Sequence, residues 1–167
     1  HTPHSVVAIL KPHNKEQLQQ IVKIASKHKA PLYPISTGKN WGYGSSVPTS
    51  NNCTIVDLGK MNKILDFDQD LAYVTLEPGV TQKQLYDFLQ SKNAPLWIDA
   101  TGSSSQCSII GNTLERGFGH TPYGDHFSNV CGLEVILASG ESFHTGFGRF
   151  SNAEAANVYK WGVGAHL

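Results

Sequence analysis

Gly38-Lys39-Asn40-Trp41-Gly42-Tyr43-Gly44-Ser45-Ser46 decides how this chain is to be read, because it sets three glycines within seven positions directly after the apolar stretch Leu32 to Ser36. Glycine has no Cβ and reaches positive φ without steric cost, so such a turn leaves backbone N–H groups free to converge on an anion. A phosphate cradle is the functional reading of the segment, and a structural turn is the bland one. It is neither of the two familiar cradles. A Walker loop needs Lys and then Ser or Thr after its last glycine, and a Rossmann fingerprint needs a third glycine three residues after Gly44, where Val47 stands. Ser36 and Lys39 make an S-x-x-K, but the S-D-N and K-T-G boxes that accompany it in acyl-serine enzymes are missing.

Upstream, Val6 to Leu10 is a short apolar run that stops before Pro12 and reads as a strand. Asn14 with Gln17 three residues later has the pattern of a capping box, and Leu18, Ile21, Val22 and Ala25 then recur at helical spacing while Lys15, Gln19 and Lys23 fall elsewhere. With Leu32 to Ser36 as the next strand, about thirty residues make a right-handed βαβ unit, whose ligand site is expected beyond the carboxyl ends of its strands. The glycine-rich segment stands there. Downstream, Cys53 to Leu58 and Leu71 to Glu77 read as strands, Thr81 with Gln84 caps a helix carrying Leu85, Phe88 and Leu89, and Ile109 to Leu114 reads as a further helix. Between Leu133 and Thr145 two strands meet at Ser139-Gly140, a hairpin signal. The expected class is α+β, with a small βαβ-containing lobe over 1–60 and a larger, mixed and antiparallel lobe with flanking helices over 61–167.

Composition narrows the partners. The 13 basic and 13 acidic side chains cancel, so no excess field is available to hold a nucleic-acid backbone or an anionic membrane, and a small molecule is the expected ligand. No run approaches the ~18 apolar residues of a membrane span. Cys53, Cys107 and Cys131 are odd in number and far apart, against both a disulfide framework and a CxxC metal clip, and they read as buried, inert thiols. The chain begins at His1 and ends at Leu167 inside a Gly-rich segment, so it is expected to be a piece of a longer protein, and the lack of a leader carries no information. A soluble, cytoplasmic protein is the expectation, although the compartment is not written in the residues.

A second candidate loop follows the helix at Ile109: Glu115-Arg116-Gly117-Phe118-Gly119-His120-Thr121-Pro122-Tyr123-Gly124-Asp125-His126. Asp125 beside His126 offers an acid–base pair, and a carboxylate in an aromatic pocket has a perturbed pKa. The alternative is that Asp125 caps a turn and His126 lies on the surface. Six-residue spacing of His120 and His126 across a Gly/Pro loop fits no common metal-ligand pattern. Trp41, Tyr43, Trp97 and Tyr123 are candidates for stacking on a planar ring, or plain core.

Taken in order, Pro34 to Ser45, Glu77-Pro78-Gly79-Val80-Thr81, Gly111-Asn112-Thr113-Leu114-Glu115-Arg116-Gly117 and Thr121-Pro122-Tyr123-Gly124-Asp125-His126 closely resemble the vanillyl-alcohol oxidase and p-cresol methylhydroxylase superfamily of flavoproteins. Tyr159-Lys160-Trp161-Gly162-Val163-Gly164 resembles the stretch before that family's last cofactor-domain strand. The resemblance implies an FAD-binding domain of two α+β subdomains with the cofactor between them, and a separate cap domain that this chain lacks. It implies that Ser36, Thr37, Gly38, Lys39, Asn40, Trp41, Gly42, Tyr43, Gly44 and Ser45 hold the pyrophosphate. Pro78, Gly79, Val80, Gly111, Asn112, Glu115, Arg116, Gly117, Tyr123, Gly124, Asp125 and His126 would line the rest of the FAD. Asp125 matches the family carboxylate beside the flavin's redox-active nitrogen, and Tyr43 a tyrosine that binds the substrate phenolate.

There are departures. Relatives that attach flavin through this domain carry a histidine in a G-G-H pattern, where this loop has Asn40-Trp41-Gly42, so any covalent link must come from the cap. Gly164-Ala165 replaces the family's Gly-Pro, and Trp41 and Phe118 are bulky. The function so implied is oxidation of para-substituted phenols by hydride transfer to FAD, by an oxidase or a dehydrogenase, with a homodimer or an electron-accepting partner compatible with it. The rivals are a same-fold enzyme for 2-hydroxy acids, aldonolactones or sugars, and a non-catalytic flavin-binding fragment.

Overall fold

In the computed structural model, residues 4–39, 46–150, 152–153 and 156–159 are described. The cradle residues Asn40 to Ser45 and the family stretch beyond Tyr159 lie outside them. Three parallel strands come first, β1 (Val6–Leu10), β2 (Leu32–Ile35) and β3 (Cys53–Asp57), in the order β1-β3-β2. The expected strand–helix–strand unit is present, but its two strands are not neighbours, because β3 enters between them. Burial explains why β3 takes the centre: Ile55 and Val56 point to opposite faces, and both are buried, as a central parallel strand requires. The sheet places the end of β2, and so Ser36 to Lys39, at the carboxyl edge.

Helix α1 (Lys15–His28) starts where Asn14 accepts a hydrogen bond from the Gln17 N–H at 2.9 Å. The expected capping box is shifted by one residue, since the Gln17 side chain reaches back to the His13 N–H at 2.8 Å instead of to that of Asn14. The helix ends at Lys29, left-handed at φ 52°. Helix α2 (Gln82–Ser91) has the full reciprocal box: Thr81 Oγ1 accepts from the Gln84 N–H, and the Gln84 side chain accepts from the Thr81 N–H. Its Leu85 and Leu89 join Val80 and Ala94 in a core that Ile64, Phe67, Val74, Leu76, Leu96 and Ile98 surround.

Part of that surround comes from a strand the sequence reading passed over. β4 (Ile64–Asp68) pairs antiparallel with β5 (Tyr73–Leu76). The strand expected from Leu71 begins two residues later, because Asp68 Oδ1 accepts from the Leu71 N–H at 2.8 Å and Ala72 turns at φ 53°. Helix α3 (Ile109–Leu114) is capped by Ser108. The expected hairpin follows as β6 (Glu134–Ile136) and β7 (Ser142–His144), with Gly140 at φ 81° in its turn. The hairpin closes on α1 through Gln19 Nε2 to the Gly140 carbonyl at 2.9 Å and through the Lys15–Glu134 ion pair. The result is a mixed α+β fold with one parallel sheet and two antiparallel ones among the described residues. No described helix is long and apolar enough to cross a membrane.

Candidate functional site

Three segments read from the sequence as cofactor-binding meet beyond the end of β2. The N–H groups of Gln82 and Lys83 donate to the Cys107 and Ser105 carbonyls, and Ile109 N–H donates to the Val80 carbonyl at 3.0 Å, which locks the Pro78–Thr81 turn against the start of α3. That start in turn faces β2: a methyl group on Gly111 would stand 3.5 Å from Ser36 Oγ. Cys107 Sγ lies 3.0 Å from the Lys39 carbonyl, so the buried thiol ties the entry of the glycine-rich loop to the same place. Gly38 opens the loop at φ 66°, where a Cβ would come within 2.5 Å of Ser46 Oγ. The half-buried hydroxyls of Ser36 and Thr37 make no hydrogen bond among the described residues. Partly buried hydroxyls without partners, next to a left-handed glycine, suit an anion whose oxygens would complete them. Asn40 to Ser45, including Tyr43, lie outside the described residues.

The second candidate loop adjoins this place through Asn112. Its ends pair at Phe118 and Asp125, and the Gly119 N–H donates to the Gly124 carbonyl at 3.1 Å. Among the described residues no aromatic pocket encloses Asp125: the carboxylate is exposed, as are Trp97, Phe118 and Tyr123, while Trp41 and Tyr43 lie outside them. The hydroxyl of Ser128, 2.5 Å away, holds the Asp125 carboxyl below its ordinary range against the opposing effect of desolvation, helped by the Ser128 and Phe127 N–H groups and the Arg116 charge. Asp125 is therefore ionised and open to a ligand. The neighbouring pair does not form. His126 turns inward instead, its Nδ1 2.5 Å from the Asn112 side chain and its Nε2 3.3 Å from Asp99 Oδ2. Glu115 and Arg116 are exposed, and the Arg116 guanidinium lies 3.7 Å from the centre of the Phe127 ring. Of the three thiols expected to be buried, Cys131 is only half-buried.

Asp99, Ser108 and Ser128 escaped the sequence reading, and Cys107 was read there only as a buried thiol. Ser108 has a local signal, a serine three residues before Gly111 at a helix start. Asp99 has none, since its role depends on a histidine 27 residues away.

Comparison with known proteins places this geometry. The FAD-binding domain family matches residues 6–146. The chain belongs to that family. FAD is its cofactor, and the described residues at the end of β2 fit the group. The chain is 45% identical over 166 residues, 99% of its length, to 1'-carboxy-chondrochloren decarboxylase of Chondromyces crocatus, and covers 31% of that protein. It is 43% identical over 164 residues, 98% of its length, to the flavoprotein subunit of 4-cresol dehydrogenase [hydroxylating] from Pseudomonas putida, of which it covers 32%. A crystal structure of p-cresol methylhydroxylase with substrate bound superposes with a TM-score of 0.93 at 43% identity, over 98% of this chain and 32% of that one. These likenesses bear out the family read from the four ordered motifs. The chain spans about a third of the length of the curated relatives it matches.

Proposed function

We propose that the intact protein is an FAD-dependent oxidoreductase for para-substituted phenols, such as 4-hydroxybenzyl alcohols or 4-alkylphenols, and that this chain is its FAD-binding domain. The observation that supports it most is the meeting of Ser36 to Lys39, the Pro78–Thr81 turn and the Cys107–Gly111 segment, in a chain 43% identical to a 4-cresol dehydrogenase flavoprotein subunit. When bound, FAD supplies the acceptor for a hydride from the benzylic carbon. The chain's own residues bind and orient. Gly38 to Ser45 offer amides to the pyrophosphate, with the Ser36 and Thr37 hydroxyls beside them. The Pro78–Val80 turn and Gly111 to Gly117, with Tyr123 and Gly124, border the remainder of the cofactor. Asp125, ionised and exposed, takes or holds a proton at its carboxylate, and Tyr43 donates to the phenolate oxygen.

The rest of the polypeptide forms the cap over the substrate, and residues 1–60 and 61–167 act as the two lobes that grip FAD. The relative's name as a flavoprotein subunit supports an electron-accepting partner. The full-length holoprotein, mixed without oxygen with a panel of 4-hydroxybenzyl alcohols, 4-alkylphenols and 2-hydroxy acids, is expected to lose its flavin absorbance with the phenols. Bleaching by the 2-hydroxy acids alone would refute the substrate class. The 45% identity to a decarboxylase favours one second reading, oxidation coupled to loss of CO2. Carbon dioxide released in proportion to flavin reduced, from a carboxylated phenol, would establish it.

A further inference from the structure

We infer that Asp99 is a positioning residue that acts through His126 to hold the Asp125 loop against the cofactor. The inference rests on the reading that this loop faces FAD. His126 directly follows Asp125, so a restraint on its ring is a restraint on the backbone that carries the carboxylate. That ring is clamped on both sides by residues from other segments, Asn112 from α3 and Asp99 from the stretch between α2 and α3. The side chains of His126 and Asp99 are 13% and 12% exposed, so little water competes for either. With Asp99 Oδ2 at Nε2 and the Asn112 amide at Nδ1, both ring nitrogens are engaged and the ring is held in one orientation. The Asn112 amide turns its oxygen to Nδ1 and its NH2 towards Gly117.

The loop's backbone is also fitted to the clamp. A Cβ on Gly119 would stand 2.1 Å from Asp99 Oδ1, and one on Gly117 would stand 2.0 Å from Asn112 Nδ2. Both glycines let the chain pass directly over the two side chains that grip His126. Gly119 is not at a positive φ, so Gly119→Ala is not strained in its backbone and acts by forcing the Asp99 carboxylate away from the ring. It reproduces loss of the clamp with every polar group retained.

The test uses the full-length holoprotein in four forms: wild type, Asp99→Asn, Gly119→Ala and Asp125→Asn. FAD content, amide hydrogen exchange over residues 118–126, and the KM and limiting rate of anaerobic flavin reduction by a 4-alkylphenol are measured well below the melting temperature. Asp99→Asn and Gly119→Ala are expected to keep FAD, to speed exchange at the Gly119 amide, and to slow reduction by about 10- to 100-fold with KM nearly unchanged, as misplacement of a reacting group does. Unchanged exchange, or unchanged reduction in fully loaded variants that only melt earlier, overturns the inference. If Asp125→Asn reduces normally while both clamp variants are slow, the role assigned to Asp125 fails and the positioning of the loop by Asp99 stands.

Discussion

Gly79 is the residue whose replacement tests most directly how the Pro78–Thr81 turn is held. A Cβ there would lie 2.6 Å from the Leu58 carbonyl oxygen, 2.7 Å from that of Met61 and 3.0 Å from the Gly59 carbonyl carbon. All three are backbone atoms, so no side chain can rotate aside. The Leu58–Lys60 turn would have to retreat by about 0.8 Å to restore ordinary contact. Its next residue, Met61, is buried and accepts the Gly79 N–H at 2.7 Å, so that retreat disturbs the core as well. Overpacking costs about 1–3 kcal/mol, and a clash confined to main chain belongs at the upper end, about 2–3 kcal/mol. At about 1.4 kcal/mol per factor of ten, Gly79→Ala should speed native-state exchange of the Gly79, Val80, Gln82 and Lys83 amides by roughly 30- to 150-fold. Gly148→Ala is the control, because the nearest atom to its Cβ would be 3.6 Å away, an ordinary contact. Mass spectrometry of peptides spanning the turn gives the rates. Exchange within threefold of wild type in Gly79→Ala would show that the turn yields more easily than its backbone neighbours imply.

Thr81→Ala removes the reciprocal cap of α2 and should cost about 1 kcal/mol, with Thr81→Ser restoring most of it, read as the shift in the denaturation midpoint. Gly38→Ala places a side chain at φ 66° against Ser46 and should weaken FAD binding in the full-length protein, measured by flavin fluorescence; undiminished affinity would remove Gly38 from the cradle. Ser128→Ala removes the largest influence lowering the Asp125 carboxyl and should raise its titration towards the ordinary carboxylate value, seen by carboxyl 13C NMR. The sign follows from linkage. A depressed folded-state pKa contributes stability above the unfolded value and loses it as pH falls through the folded one, so in Ser128→Ala that contribution shrinks and fades at higher pH.

How much was legible depended on whether a signal was local. Thr81 with Gln84 and the Ser139-Gly140 turn mark their own conformations, and the structure has both as read; Gly38 stands at φ 66°. The strand Ile64–Asp68 was missed because Leu65 is exposed and Ile64, Asp66 and Phe67 break a simple alternation, so only its pairing with Tyr73–Leu76 defines it. The order β1-β3-β2 was equally hidden. Nothing in Leu32 to Ile35 says that Cys53–Asp57 will separate it from β1.

The same distinction divides the candidate site. Where the proposed cofactor site is built from backbone, sequence must spend glycines, and these are conspicuous: Gly38, Gly79 and Gly111. Where it acts through a side chain, the deciding groups are those that orient it, and these are drawn from anywhere in the chain. Asp125 and His126 were legible as a dipeptide, yet their neighbours in space separate them, Ser128 taking the carboxylate outward and Asp99 with Asn112 taking the ring inward. The two therefore make a poor acid–base pair: one side chain is exposed while the ring of the next is fixed in the interior. A loop with Gly117, Gly119 and Gly124 has little rigidity of its own, so the position of Asp125 depends on that fixed ring more than on the backbone that joins them.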